Sequence, residues 1–149
     1  MKRVLLLALA AIAITTTSYA QSGNLKLRFR VPFPFTVENA TFGEGEYEVT
    51  QPDRLILMLR NVQDQSSAFQ HVQPPQSRKE ADGRMKVVFH RYGSQYFLAA
   101  VSDGSYQATY DLRLSKEEKR LADANSTPRM RVVSVLADGT VQPASDGQQ

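Results

Sequence analysis

Residues 25–37 read LKLRFRVPFPFTV, and this stretch decides the fold. Every odd position from Leu25 to Val37 is apolar, whereas every even position holds Lys, Arg, Pro or Thr. Because successive side chains of a strand point to opposite faces, a strand places all seven apolar side chains on one face. A helix would scatter them around its circumference, and Pro32 and Pro34 would break it. The stretch therefore predicts a β-strand with one buried face.

The two prolines also predict where this strand changes course. The stretch has 13 residues, more than twice the length of an average strand of about five or six. Pro32 and Pro34 lack N–H donors on the same side of the strand, so they weaken pairing with one neighbour. We expect a bend near the prolines, with the two parts serving different regions of the structure. We also expect Val31–Phe35 to be paired on one side at most.

Further strands are predicted between turn residues along the chain. Glu46–Thr50 alternates, with Tyr47 and Val49 facing inward, and the short segments Leu55–Leu59 and Ala68–Val72 follow. Tyr106–Leu114 alternates again as a long half-exposed strand. Met130–Ala137 is the last strand, turned by Asp138-Gly139 into Thr140-Val141.

The strongest hairpin joins Met85–Tyr92 to Gln95–Val101. The two residues between them are Gly93-Ser94, which suit a type II′ turn with glycine first. Both strands carry apolar residues on both faces, so we expect this hairpin at the centre of the core. The predicted register places Phe89 opposite Leu98, Val87 opposite Ala100, and His90 opposite Phe97.

One helix is predicted at about residues 115–124. Ser115 and Glu118 have the spacing of a capping box, in which each side chain satisfies a free N–H group of the other residue. A helix this short is marginal alone, so we expect it to dock through Leu121 and the neighbouring alanines.

Together, the strands and the helix predict an all-β protein: an antiparallel sandwich or small barrel of about 7–9 strands with one short helix.

The first 20 residues have the layout of a secretory signal peptide. A short positive end precedes the apolar run Val4–Ile14, and small residues flank Tyr19 before a cut after Ala20. The run is shorter than the roughly 20 apolar residues that span a membrane. We predict residues 1–20 as the signal peptide, 21–143 as a single β-domain without a membrane span, and 144–149 as a disordered tail. The protein is then exported, to the periplasm or the exterior.

Composition excludes several kinds of site. The chain has no cysteine, which excludes disulfides, thiol nucleophiles, thiolate zinc sites and iron–sulfur clusters. Its 18 basic residues against 15 acidic ones give a net charge of +3. Lys2 and Arg3 belong to the predicted signal peptide, and without them the net charge is +1. With no basic run either, the sequence argues against a nucleic-acid partner.

Three motifs together resemble a known group of proteins. Val31–Val37 reads VPFPFTV, Gly45–Val49 reads GEYEV, and His90–Gly93 reads HRYG. This arrangement resembles a group of small exported bacterial proteins carrying V-P-F-x-F-x-V, G-x-Y-x-V and H-R-Y-G, for which no activity is assigned. The resemblance implies one exported domain and no mechanism. Gly45–Val49 alone is also similar to a strand of immunoglobulin-like and transthyretin-like sandwiches, which concerns architecture only.

The supply of catalytic and metal-binding residues is small. His71 and His90 are the two histidines, and no G-x-S-x-G, H-x-H or H-E-x-x-H motif occurs. Glu44, Glu46 and Glu48 share one strand face, which we interpret as a solvated face opposite Arg28 and Arg30 rather than a glycosidase pair. We predict no catalytic residue, no metal site and no cofactor.

The candidate binding residues lie around the tip of the strongest hairpin. They are Arg91, Tyr92, Gln95 and Tyr96, a set that offers two phenol rings, a guanidinium and an amide. Such groups bind a sugar, a peptide or an envelope polymer by stacking and hydrogen bonding. The alternative is that Tyr96 simply packs over its cross-strand neighbour Arg91.

Three hypotheses for the function remain. The first is a non-catalytic exported β-domain, a structural or binding module whose partner is an envelope protein or a polysaccharide. The second is a barrel-type carrier of a small apolar ligand, which requires a large apolar cavity. The carrier is eliminated if aromatic and leucine side chains fill the interior, namely Phe29, Phe33, Phe35, Leu57, Phe89 and Leu98.

The third hypothesis is a hydrolase, which requires His71 or His90 exposed in a cleft beside a serine and a carboxylate.

Overall fold

The computed structural model describes residues 25–74, 83–104, 109–124 and 130–143. The predicted signal peptide and tail lie outside the described residues. Two β-sheets pack as a sandwich that does not close into a barrel. The elements, in chain order, are β1 (Lys26–Val31), β2 (Phe35–Val37), β3 (Ala40–Phe42), β4 (Gly45–Asp53), β5 (Ile56–Asn61), β6 (Ser67–His71), β7 (Lys86–Tyr92), β8 (Gln95–Ser102), β9 (Thr109–Asp111), α1 (Lys116–Asp123), β10 (Arg131–Leu136) and β11 (Val141–Pro143).

The four-stranded sheet has the order β1-β4-β5-β6, and the seven-stranded sheet has the order β11-β10-β7-β8-β2-β3 with β9 beside β8. The pairs are antiparallel except for the contact of β2 with β8, where Thr36 is parallel to Phe97. The prediction of an all-β sandwich is confirmed. Eleven strands are described instead of 7–9, because the opening stretch forms two strands and β3, β9 and β11 have three residues each.

The opening stretch crosses from one sheet to the other at its prolines. β1 pairs with β4, Val31 lying opposite Gly45, whereas β2 pairs with β3, Phe35 lying opposite Phe42. Residues 32–34 belong to neither strand. The predicted bend is therefore confirmed. The odd positions are buried as predicted, except Phe33, which is half-buried against the core.

Backbone hydrogen bonds show which edge the prolines protect. The N–H group of Gln51 donates to the carbonyl of Leu25 at 3.2 Å, so the odd residues of β1 turn their backbone groups toward β4. The backbone groups of Lys26, Arg28 and Arg30 face the other side, which is the outer edge of the sheet, and Pro32 follows them. Cations and a missing donor both discourage a further strand from pairing there.

Aromatic rings fill the space between the sheets. Phe35 makes edge-on contacts with Tyr47 and Phe89, with ring centroids 5.0 and 5.3 Å apart, and it stacks on Phe42 at 5.6 Å. Phe33 meets Phe89 edge-on at 5.2 Å. Because these rings come from strands of both sheets, they join the two layers into one core.

The β7–β8 hairpin lies centrally in the seven-stranded sheet, as predicted. Gly93 has a φ of 63°, the positive value that a type II′ turn requires at its first central position. Phe89 pairs with Leu98 and His90 with Phe97, both as predicted. The predicted partner of Val87 is wrong, because Val87 pairs with Val101. Ala99 is an extra residue, a β-bulge that shifts the register by one.

The later elements match the prediction in position but not in length. The predicted strand Tyr106–Leu114 is described only as β9 and a bridge of Leu112 to Val72, and residues 105–108 lie outside the described residues. The last strand and its Asp138-Gly139 turn are confirmed as β10 and β11. In the part of the chain that the structure describes, no helix has the length and apolar character needed to cross a membrane.

Candidate functional site

The four predicted binding residues divide between two faces of the β7–β8 hairpin. Arg91 pairs with Tyr96, and Tyr92 pairs with Gln95. Neighbouring residues of a strand point to opposite faces. The pair Arg91–Tyr96 therefore lies on the face toward the other sheet, at the open end of the sandwich, and the pair Tyr92–Gln95 lies on the opposite face.

The ring of Tyr96 is covered on both sides. Phe33 stacks on it with centroids 4.0 Å apart and planes inclined by 19°. The guanidinium carbon of Arg91 lies over the ring, 5.3 Å from its centroid, in a cation–π contact. A parallel ring at 4.0 Å occupies one face, so the guanidinium takes the other. Tyr96 packs over Arg91 as the alternative interpretation expected, and only its edge and hydroxyl group remain for a ligand.

Tyr92 is buried under helix α1 on the opposite face. Its ring meets Phe97 edge-on at 5.9 Å, and its hydroxyl group donates a hydrogen bond to Glu118 of the helix. Nδ1 of His90 lies 2.6 Å from Oε1 of the same carboxylate. Burial first, and the charge and hydrogen bond of Glu118 after it, raise the pKa of Tyr92 above its ordinary value. Tyr92 thus serves the attachment of the helix.

The helix docks in a way that its sequence did not reveal. Ser115 caps it as predicted, accepting a hydrogen bond from the N–H group of Glu118 at 3.0 Å. Docking through the neighbouring alanines is wrong, because Ala122 and Ala124 are exposed. Leu121 is half-buried, and Glu118 is the buried residue of the helix. The reason is that His90 and Tyr92 offer polar partners on the sheet beneath.

An open cleft of about 180 Å³ lies beside the β7–β8 turn, and we call it the tip cleft. Two of the predicted binding residues, Gln95 and Tyr96, line it, whereas Arg91 and Tyr92 do not. One wall comes from the β7–β8 turn and the other from the β2–β3 hairpin, where Thr36 lies opposite Thr41. The lining residues are Pro34, Phe35, Thr36, Thr41, Ser94, Gln95 and Tyr96.

The pocket described between the two sheets is small. The six interior positions that the sequence analysis named are buried, apart from the half-buried Phe33. A pocket between β1 and β7, bordered by Phe29 and Val87, holds about 10 Å³, the room of one water molecule at most.

The two histidines lie in different sheets. His71 is exposed on β6, and His90 is bound to Glu118 beneath the helix. Neither of them lines the tip cleft. Within the described ranges, no three His, Asp or Glu side chains come close enough together to hold a metal ion.

Glu48 is the centre of a charged cluster on the outer face of the four-stranded sheet. Its carboxylate lies 2.8 Å from Arg60, 3.4 Å from Lys26 and 3.6 Å from Arg28. The predicted register is confirmed, since Arg28 lies opposite Glu48 and Arg30 opposite Glu46. The predicted solvated face is wrong for Glu48, which is 4% exposed, because the long cationic side chains cover it.

The environment of Glu48 predicts a loss of stability in acid. Burial alone raises the pKa of this carboxyl, but hydrogen bonds and charges from Lys26 and Arg60 outweigh it, so the pKa lies below its ordinary value. A lowered pKa in the folded state stabilises the protein above about pH 4.5 and loses this effect as the pH falls through the folded value.

We therefore expect Glu48→Gln to lower the urea midpoint at pH 7, and we expect this difference from wild type to shrink as the pH falls below about 4.5. The matched control is Glu44→Gln, which alters an exposed carboxyl of the same neighbourhood and is expected to follow wild type at each pH. Urea unfolding measured from pH 7 to pH 3 checks this expectation. A difference in urea midpoint between Glu48→Gln and wild type that stays constant over that pH range contradicts the expectation.

Comparison of the chain with models of protein families, with curated proteins and with solved structures finds no match.

Proposed function

We propose that the chain is an exported, non-catalytic β-sandwich module of the cell envelope or exterior, and that the tip cleft binds a sugar unit of a neutral polysaccharide. The observation that carries this proposal is the chemistry of the cleft lining. Five of its seven residues offer a hydroxyl or amide group, and none of the seven carries a charge. An ionic ligand would lose water in such a cleft without gaining a counter-charge, whereas the hydroxyl groups of a sugar match it.

The geometry supports a preformed site. Tyr96 is held between Phe33 and Arg91, so its hydroxyl group has a defined position before a ligand arrives. Thr36 and Thr41 are fixed across the β2–β3 hairpin. A ligand group that meets ordered partners costs less conformational entropy on binding. Pro34, which is exposed, adds apolar surface for the C–H groups of a sugar ring.

Two further observations support a module rather than a carrier or an enzyme. The interior is filled by the aromatic residues described above, so the tip cleft at the surface is the larger of the two spaces described. The tip cleft contains no histidine and no carboxylate. Export rests on the layout of residues 1–20.

We expect chitohexaose or maltohexaose, titrated into the purified protein, to shift the amide resonances of Ser94, Gln95 and Thr41 in two-dimensional NMR spectra. Gln95→Ala and Thr41→Ala each remove one hydrogen-bonding group. Each is expected to weaken binding about two- to tenfold, the effect of one hydrogen bond of roughly 0.5–1.5 kcal/mol.

The matched control is Gln63→Ala, which removes an exposed amide in the loop after β5 and should bind as wild type does. The proposal is contradicted if neither glycan shifts a cleft resonance, or if Gln95→Ala and Thr41→Ala bind as tightly as Gln63→Ala. Shifts confined to the helix face with a glycan present also contradict it.

A further inference from the structure

The outer face of the four-stranded sheet combines cations with exposed apolar side chains. Pairing registers place its residues in rows across the four strands. One row contains Phe69, Met58, Thr50 and Lys26, and the next contains Ser67, Arg60, Glu48 and Arg28. The apolar end consists of Phe69 and Met58, which lie on β6 and β5 in the first row. The basic end consists of cations on β1 in both rows, together with Arg60 on β5.

The basic end carries more positive than negative charge. Four cations project from this face, on β1 and β5, against three carboxylates on β4, of which Asp53 is exposed opposite Ile56. Glu48 is buried beneath three of the cations and is thereby hidden from a partner. The second carboxylate, Glu46, lies 3.6 Å from Arg28. The four cations are Lys26, Arg28, Arg30 and Arg60.

The apolar end is exposed to solvent. Phe69 is 60% exposed, the largest exposed fraction among the large hydrophobic residues described. Met58 lies beside it in the same row, and Ile56 lies opposite His71 in the neighbouring row, both half-buried. Strands lie about 4.8 Å apart, so three intervals, roughly 14 Å, separate Phe69 from Lys26. Both ends can therefore contact one flat surface at the same time.

We propose that this face, which we call the basic face, binds peripherally to a membrane surface that contains anionic lipids. Such a surface presents negative headgroups with apolar chains directly beneath them, which matches cations beside an exposed aromatic ring. Lys26, Arg28 and Arg30 contact the headgroups, and Phe69 enters the interfacial region beside them. An acidic protein would match the charge without engaging the apolar end. This role is independent of the tip cleft, which is formed by the other sheet.

Vesicle flotation tests the proposal with the purified protein. We expect it to float with vesicles of 70% phosphatidylcholine and 30% phosphatidylglycerol, to stay behind with pure phosphatidylcholine, and to bind less as salt rises from 50 to 300 mM. Lys26→Gln/Arg30→Gln should weaken binding roughly 25-fold, about fivefold for each cation removed. At 300 mM salt, where the charges are screened, Phe69→Ser should bind the vesicles more weakly than wild type does.

The matched control is Lys119→Gln/Arg131→Gln, which removes the same net charge from exposed cations of α1 and β10. It should float as wild type does. The proposal is wrong if the control loses as much binding as the basic-face variant, or if both vesicle types bind equally. It is also wrong if Phe69→Ser binds as tightly as wild type at 300 mM salt. Circular dichroism of each variant checks that the fold is kept, and Phe69→Ser tests an exposed position whose change leaves the core intact.

Discussion

Phe35→Ala is expected to lower the free energy of unfolding by about 3–5 kcal/mol, the usual cost of truncating a buried phenylalanine. Phe35 is 1% exposed and contacts Phe42, Tyr47 and Phe89 from both sheets. Its removal leaves a cavity between layers that neighbouring strands cannot close, because β2 is short and held on both sides. Urea unfolding followed by circular dichroism measures the loss.

Phe69→Ala is the matched control for this change. It truncates the same residue type at a position that is 60% exposed, so we expect a change within about 0.5 kcal/mol. Similar losses in the two variants would contradict the placement of Phe35 in the core. So would a loss for Phe35→Ala of less than about 1 kcal/mol, the effect typical of an average substitution.

Glu118→Ala is expected to lower the free energy of unfolding by about 1.5–3 kcal/mol, the value of hydrogen bonds to a charged group. The side chain of Glu118 is 3% exposed and joins α1 to His90 and Tyr92. A helix of eight residues is not stable by itself, so its attachment decides whether it forms. We expect amide hydrogens of residues 119–123 to exchange faster in this variant.

Glu117→Ala is the control, because it changes the same residue type at the preceding position of the same helix. The side chain of Glu117 is 41% exposed and pairs with Arg120 on its own helix. We expect a change within about 0.5 kcal/mol and unchanged hydrogen exchange. If Glu117→Ala releases the helix as readily as Glu118→Ala, the buried carboxylate is not what holds it.

Strands and their buried faces were predictable where alternation is strict. Leu27, Phe29 and Val31 are buried at the positions that a period of two requires, and the cap at Ser115 follows from a local pattern. The bulge at Ala99 was not predictable, because an extra residue in one strand leaves the apolar pattern on both faces intact. The register error at Val87 is the consequence.

The buried polar contacts were the hardest part of the structure to predict from the sequence. Glu48 and Glu118 are charged residues on surfaces that their local patterns mark as solvated. Their burial depends on partners far along the chain, Arg60 for Glu48 and His90 for Glu118. Burial of a charge is decided by such partners and not by the pattern of its own strand or helix.

The tip cleft was predictable only in part. Gln95 and Tyr96 follow from the hairpin, but Thr36 and Thr41 reach the cleft because β2 lies parallel to β8. This contact joins distant segments, and no local pattern indicates it. The alternation of side chains along the two strands was enough to predict that Arg91 and Tyr96 lie on one face of the hairpin and Tyr92 and Gln95 on the other.

The crossing at residues 32–34 makes the two layers depend on each other during folding. β1 can pair with β4 early, because β4 follows it closely in the sequence. β2 can join the seven-stranded sheet only when Thr36 pairs with Phe97 of β8. A chain emerging from the ribosome can therefore pair the first layer early, while the second stays unfinished until the β7–β8 hairpin has appeared. Closing such a long loop is slow, and it leaves Phe35 without its partner Phe89 until then. The aromatic core between the two sheets is therefore completed late in folding.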